Sequence, residues 1–146
     1  QLRDVILETT GKDMNSVRHG GAAGGIAAAL HTFLNAKLVN GIDYFLDITG
    51  FKKELAKADV VITGEGSIDS QTLQGKGPFG VARLAKKHHA KVIGMAGKIS
   101  DDKALHHYFD KLISINDAGT DLETALKNTY TNLEKAAYLL GEKELG

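Results

Sequence analysis

The sequence predicts an α/β protein, with a doubly wound, mainly parallel sheet and helices on both faces, of the Rossmann or flavodoxin-like kind. Three observations lead there. Short apolar runs at residues 60–63, 92–96 and 112–115 read as strands. Segments with helical apolar spacing separate and follow them, and that alternation calls for right-handed crossovers and parallel pairing. Glycine-containing turns are expected at the carboxyl ends of the first two runs, where open α/β sheets collect ligands.

The elements follow in order. Residues 2–10 predict a helix, because Leu2, Val5, Ile6 and Thr9 recur at helical spacing before Gly11. After a polar loop, residues 20–25 (Gly-Gly-Ala-Ala-Gly-Gly) lead into a helix over 26–36. Its alanines, with Leu30, Phe33 and Leu34, suit close packing. Small residues admit either a neighbouring backbone or a ligand, so both readings of the glycine run stay open. Asn40-Gly41 marks a turn; Ile42, Phe45, Leu46 and Thr49 mark a short helix ending near Gly50, and Phe51, Leu55 and Ala58 another over 51–58.

Val60, Val61 and Ile62 read as a strand buried on both faces, with a Thr-Gly-Glu-Gly turn at its end. A helix over 78–88 is expected to bury Val81, Leu84 and Ala85, and a strand over 92–96 to end in a Gly97-Lys98 turn. Then come a modest helix over 102–109, a strand over 112–115 and a long amphipathic helix over 122–140 carrying Leu122, Ala125, Leu126, Leu133, Ala136 and Ala137. No internal repeat or long linker interrupts this order, so one α/β domain over 1–146 is expected.

Composition narrows the partners. The 146 residues are 42% hydrophobic and 25% charged, the balance of one globular domain with a real core. A formal net charge of zero leaves no basic excess, so neither nucleic acid nor an anionic membrane is expected as a partner. The absence of cysteine excludes disulfides and thiolate metal sites and fits a reducing compartment. No apolar run approaches the roughly 20 residues that span a bilayer. With no charged region followed by a hydrophobic core at the amino terminus, a cytoplasmic protein is expected. Gln1 in place of methionine agrees with a fragment of a longer chain or with removal of a tag.

Residues 59–82, DVVITGEGSIDSQTLQGKGPFGVA, hold the chemistry. Gly64 and Gly66 let backbone amides approach a ligand and permit positive φ in the expected turn. Glu65 and Asp69 bring two carboxylates to its mouth. Gly75, Lys76 and Gly77 precede Pro78, which suits a first helical position because it has no amide hydrogen to leave unpaired. Free amides at that helix start, with the charge of Lys76, suit a phosphate, while the carboxylates suit Mg²⁺ or a proton. Standard nucleotide loops fit only in part. The dinucleotide fingerprint needs a glycine where Asp69 stands, and Walker A needs Ser or Thr where Gly77 stands. On pattern alone, a glycine-rich connection with solvated acids explains the same residues. The adjacent pairs His88-His89 and His106-His107 lack the i, i+4 spacing of a helical zinc site, and Ser67 and Ser70 lack a recognisable base.

The string T-G-E-G-x-I-D-x-Q-T-x-x-G-K-x-P-x-G-V-A, from Thr63 through Ala82, resembles the signature of the bacterial type I glycerate kinases, the glycerate 2-kinase family. The glycine run resembles that family's Gly-Ala-Gly-Ala-Ala-Gly-Gly, and Asp121-Leu122-Glu123-Thr124-Ala125 resembles its Ser-Leu-Glu-Glu-Ala ending. Departures exist: the family commonly has Arg where this chain has Ser67, which removes a bidentate clamp, and Gly-Ala where it has His19-Gly20. Family chains are more than twice as long, so the resemblance implies a carboxyl-terminal portion of a two-domain kinase.

The implied reaction moves the γ-phosphoryl group of ATP to the 2-hydroxyl of D-glycerate, giving 2-phosphoglycerate, with Mg²⁺ as cofactor. It implies catalytic roles for Glu65, Asp69 and Lys76, with metal binding at the two carboxylates. Nucleotide or substrate contacts are expected at Gly20, Gly21, Gly24, Gly64, Gly66, Gln71, Thr72 and Gly75. The missing amino-terminal part, or a second copy of the chain, is the expected macromolecular partner. The competing classes are a noncatalytic nucleotide- or phosphate-binding domain and a Rossmann-like oxidoreductase, the latter disfavoured by the absent third glycine.

Overall fold

The computed structural model describes residues 2–145. It forms two compact units, Gln1–Tyr44 and Phe45–Gly146.

The first unit holds α1 (Leu2–Thr10) and α2 (Ala22–Leu34). α1 buries Ile6, and the hydroxyls of Thr9 and Thr10 donate back to the carbonyls of Val5 and Ile6, both at 2.7 Å. The Leu2 side chain, an expected apolar contributor, lies outside the described residues. The glycine run divides its labour. A Cβ on Gly20 would stand 2.9 Å from the Val17 carbonyl oxygen and 3.1 Å from Ala28 Cβ, so close packing requires that glycine. Ala23, Gly24 and Gly25 all have left-handed dihedrals, which kink α2 before its regular part. Asn35, also left-handed, ends it. The expected apolar face only partly holds: Ala28 and Thr32 are buried, whereas Leu30, Phe33 and Leu34 are exposed. α3 (Gly41–Ile48) carries the chain into the second unit.

There the elements are α4 (Phe51–Leu55), β1 (Val60–Ile68), α5 (Gly77–Lys87), β2 (Lys91–Ile99), β3 (Lys111–Ser114), α6 (Leu122–Lys127) and α7 (Thr129–Leu140). The three strands form one parallel sheet in the order β1-β2-β3 with helices around it, the expected α/β class. β2 is central, and Val92 through Ala96 are all buried, the pattern of a strand covered on both faces. Ala82 and Ala85 of α5 pack with Val61, Val92, Leu105 and Phe109 in one core cluster. Ile93, Met95 and Leu140 form a second, with Ala136 of α7 packed against it.

Five expectations on local structure change. β1 runs nine residues, so Thr63 through Ser67 form strand rather than turn, and Gly97-Lys98 likewise lie inside β2. The register explains this: Glu65 pairs with Ala96 and Ser67 with Lys98, so each glycine-rich segment continues the other's ladder. Val60 to Ile62 are not covered on both faces, since Ile62 is 49% exposed on a strand that pairs with β2 alone among the described residues. The expected 102–109 helix is a 3-10 turn, Lys103–His107, capped by the Asp102 carboxylate. The long terminal helix is broken at Asn128, and Leu122 and Leu126 stand exposed.

An ion pair joins α5 to Asp110, the residue before β3. Asp110 accepts from Lys86 Nζ and from the Val92 N–H at 2.7 Å, and returns its own N–H to the Val92 carbonyl. The Lys86 hydrogen bond, followed by the Val92 amide, lowers the Asp110 pKa. A depressed folded value stabilises fully above the ordinary carboxylate range near about 4, and that contribution is lost as pH falls through Asp110's lower value. The paired side chains are 32% and 35% exposed. Solvent therefore screens the pair, and Asp110→Asn should cost only about 1 kcal/mol at neutral pH. Urea unfolding at a series of pH values checks this: the two proteins should differ at pH 7 and converge in acid.

Candidate active site

Thr72 sits at the centre of the acidic residues. It opens the 3-10 turn Thr72–Gln74 and is fully buried. Its hydroxyl donates to Glu65 Oε1 at 2.6 Å and accepts the Asp69 N–H at 3.1 Å. Asp69 Oδ1 in turn accepts the N–H groups of Gln71 at 2.8 Å and Thr72 at 3.3 Å, and Ser67 Oγ donates to Asp69 Oδ2 at 3.4 Å. Glu65 and Asp69, the two expected acidic residues, are linked through one bridging threonine. Thr72 itself was expected to touch ligand, but its burial gives it an internal role instead.

Gly75, with φ of +104°, reverses the chain after this turn, a conformation glycine adopts without strain. Lys76 then stands at the N-cap of α5 with an exposed side chain, its N–H bonded to the Thr72 carbonyl. Pro78 lies in the first turn, as expected. Gln71 is exposed beside Asp69. The turn thus places one exposed cation at a helix start, four residues beyond the buried threonine.

On the sheet, a groove of about 1230 Å³ opens over the carboxyl-terminal halves of β1 and β2. Gly64, Glu65, Gly66, Gly97 and Lys98 contribute its strand side; Asn116, Leu122, Leu126 and Leu133 contribute the opposite wall. Asp69 and Lys76 are not among its walls, whereas Glu65 belongs to both the groove and the Thr72 network. Gly64 and Gly66 do not adopt positive φ, contrary to the turn expectation. A Cβ on Gly64 would lie 2.3 Å from the Met95 carbonyl oxygen, while one on Gly66 would meet nothing within 4 Å. The first glycine is demanded by strand approach, and the second leaves its side of the groove bare.

The groove's far wall was missed from sequence. Asn116 Nδ2 donates to the Gly97 carbonyl and Asn116 Oδ1 accepts from Asn132 Nδ2, both at 2.9 Å, so one amide joins β2, the end of β3 and α7. The signal was present: Asn116-Asp117-Ala118-Gly119-Thr120 is a polar, glycine-containing turn directly after a strand. Gly20, Gly21 and Gly24 belong to the first unit, where Gly24 supplies a φ of +68° and Gly21 has open space around a built Cβ.

The donor set suits Mg²⁺ in kind, since hard carboxylate oxygens with phosphate oxygens and water are its usual ligands. Among the described residues no three His, Cys, Asp or Glu side chains gather as a metal-holding group. Mg²⁺ commonly takes only one or two protein carboxylates beside a nucleotide, so the pair fits that use. No helix among the described residues is long and apolar enough to cross a membrane.

Comparison with known proteins gives a consistent picture. The sequence model of the group described as the Glycerate kinase family matches residues 1–142. A glycerate 2-kinase of Escherichia coli (strain K12) is 39% identical over 136 residues, which make up 92% of this chain and 36% of that protein. A glycerate kinase of Bacillus subtilis (strain 168) is 41% identical over 136 residues, with the same 92% and 36% shares. A crystal structure described as that of a "putative glycerate kinase 2" from Salmonella typhimurium LT2 matches with a TM-score of 0.60 at 39% identity, covering 98% of this chain and 38% of that one. The chain therefore spans about 36% of the length of the curated relatives it matches.

Proposed function

The chain belongs to the glycerate kinase family, and from that premise we propose that it furnishes the carboxyl-terminal part of a glycerate 2-kinase site. The reaction breaks the bond between the β,γ-bridging oxygen and the γ-phosphorus of ATP and joins that phosphorus to the 2-hydroxyl oxygen of D-glycerate. ADP leaves, and the hydroxyl proton passes to a carboxylate. The observation that carries this reading is the Thr72 network, which sets Glu65 and Asp69 around one buried hydroxyl beside the Lys76 turn.

Such catalysis is mainly alignment and charge neutralisation. Glu65 and Asp69 divide the two acidic tasks, holding the cation and taking the proton. When bound, Mg²⁺ supplies charge neutralisation at the phosphate oxygens. Lys76 and the amides at the start of α5 receive phosphate oxygens. The nucleotide lies over Gly64 and Gly66, where the bare backbone of Gly66 leaves room for it. Gln71 and Gly75 border the phosphates from the turn. The protein works in the cytoplasm, with a further polypeptide segment or a second copy of this chain completing the site, and without nucleic acid or membrane.

The decisive assay is glycerate-dependent ADP release with Mg²⁺ and ATP, by this chain and by the longest natural polypeptide that carries it. Release by the longer polypeptide alone supports a shared site, in line with a chain covering 36% of its relatives. Binding of ATP without release by either supports instead a noncatalytic nucleotide-binding domain. In the active form, Lys76→Met should lower kcat/KM for ATP by about 10²- to 10³-fold, the scale of losing one charge-stabilising donor. Unchanged kinetics would leave Lys76 as a solvated turn residue.

A further inference from the structure

Thr72 has its hydrogen-bonding capacity directed by its surroundings. A hydroxyl has one proton to donate and lone pairs to accept. The Asp69 N–H can only donate, so Thr72 Oγ1 accepts there, and its single proton goes to Glu65 Oε1, 2.6 Å away. The side chain is wholly buried, so it reaches no ligand itself, and Glu65, whose carboxylate it holds, is among the residues that border the groove. Its own N–H meanwhile donates to Asp69 Oδ1. One residue therefore bonds to both acidic candidates, by hydroxyl to one and by amide to the other.

We infer that Thr72 is a positioning residue that acts through Glu65, fixing the carboxylate in the orientation its chemistry requires. The inference rests on the kinase reading above. A glutamate has three rotatable torsions, and its neighbours along β1, Gly64 and Gly66, carry no side chains. The hydroxyl anchors one oxygen and leaves the other for cation or proton. Oriented groups of this kind gain rate through geometry that need not appear in ground-state affinity.

The test uses the longest natural polypeptide carrying these residues, assayed for glycerate-dependent ADP release, with folded fraction set by circular dichroism. Thr72→Val keeps the shape and removes the hydroxyl, whereas Thr72→Ser keeps the hydroxyl. The expected result is a kcat lowered about 30-fold or more in Thr72→Val with KM for ATP within about threefold, and a kcat within about threefold of the parent in Thr72→Ser. In Glu65→Gln, adding Thr72→Val should lower kcat no further, the sign of two residues acting as one. Equal kcat in the parent and Thr72→Val, or additive losses in the double variant, overturns the positioning role and leaves the kinase reading standing. Absence of turnover in the parent polypeptide overturns the kinase reading, and the inference with it.

Discussion

Asp69→Asn is expected to lower kcat of the active form by about 10²- to 10⁴-fold while leaving the fold intact, the range associated with removing a general base. The substitution is nearly isosteric, and the asparagine carbonyl can keep both backbone donors now on Oδ1, from Gln71 and Thr72. The new amide nitrogen faces Ser67 Oγ, which can rotate and accept. What disappears is the charge, and with it the capacity to take a proton or bind a hard cation. Measured kcat beside a thermal melt separates these effects. Near-normal turnover would reduce Asp69 to a turn cap, which its hydrogen bonds alone would justify.

Gly64→Ala should have the largest effect on stability, about 2–4 kcal/mol, at the upper end of small-to-large changes. The added carbon would lie 2.3 Å from the Met95 carbonyl oxygen, and backbone in a parallel ladder cannot swing aside as a side chain can. Relief requires parting β1 from β2, which breaks the pairing on both sides of Gly64. Gly66→Ala is the matched control: nothing lies within 4 Å, so stability should change by less than about 1 kcal/mol. Urea unfolding of both variants measures the contrast. Equal losses would mean that strand propensity, and not the Met95 contact, sets the cost.

Much of the fold was legible because its elements obey local rules. α1 ends where Gly11 takes a left-handed φ, and α5 begins around a proline that needs no amide partner. β2 reads as a continuous apolar run because it is central and covered on both faces. The glycines misled in β1 and at Gly97. Glycine signals a turn by its freedom, but Gly64 is needed for strand approach, which depends on a neighbour 31 residues away in sequence and cannot be seen locally. Of the candidate site, the sequence showed that Glu65 and Asp69 lie close along the chain, and both carboxylates bond to Thr72. The sequence suggested Thr72 as a ligand contact and gave no sign of a buried bridge, because burial is a tertiary property. The groove's far wall was lost for a different reason. Its leucines look like core positions on an amphipathic helix, and only the break at Asn128 and their exposure separate them from ordinary packing.

The sheet's order has a consequence for how the site moves. β2 is bonded on both sides, whereas β1 has a single partner among the described residues and carries two glycines in its second half. Amide protons of β2 should therefore exchange only in global unfolding, while those of β1 escape through smaller local openings. Glu65 rides on the strand that opens more cheaply. A ligand seated there acts as a strut on the weaker side of the ladder, and its arrival registers as slowed exchange along β1 with β2 almost unchanged.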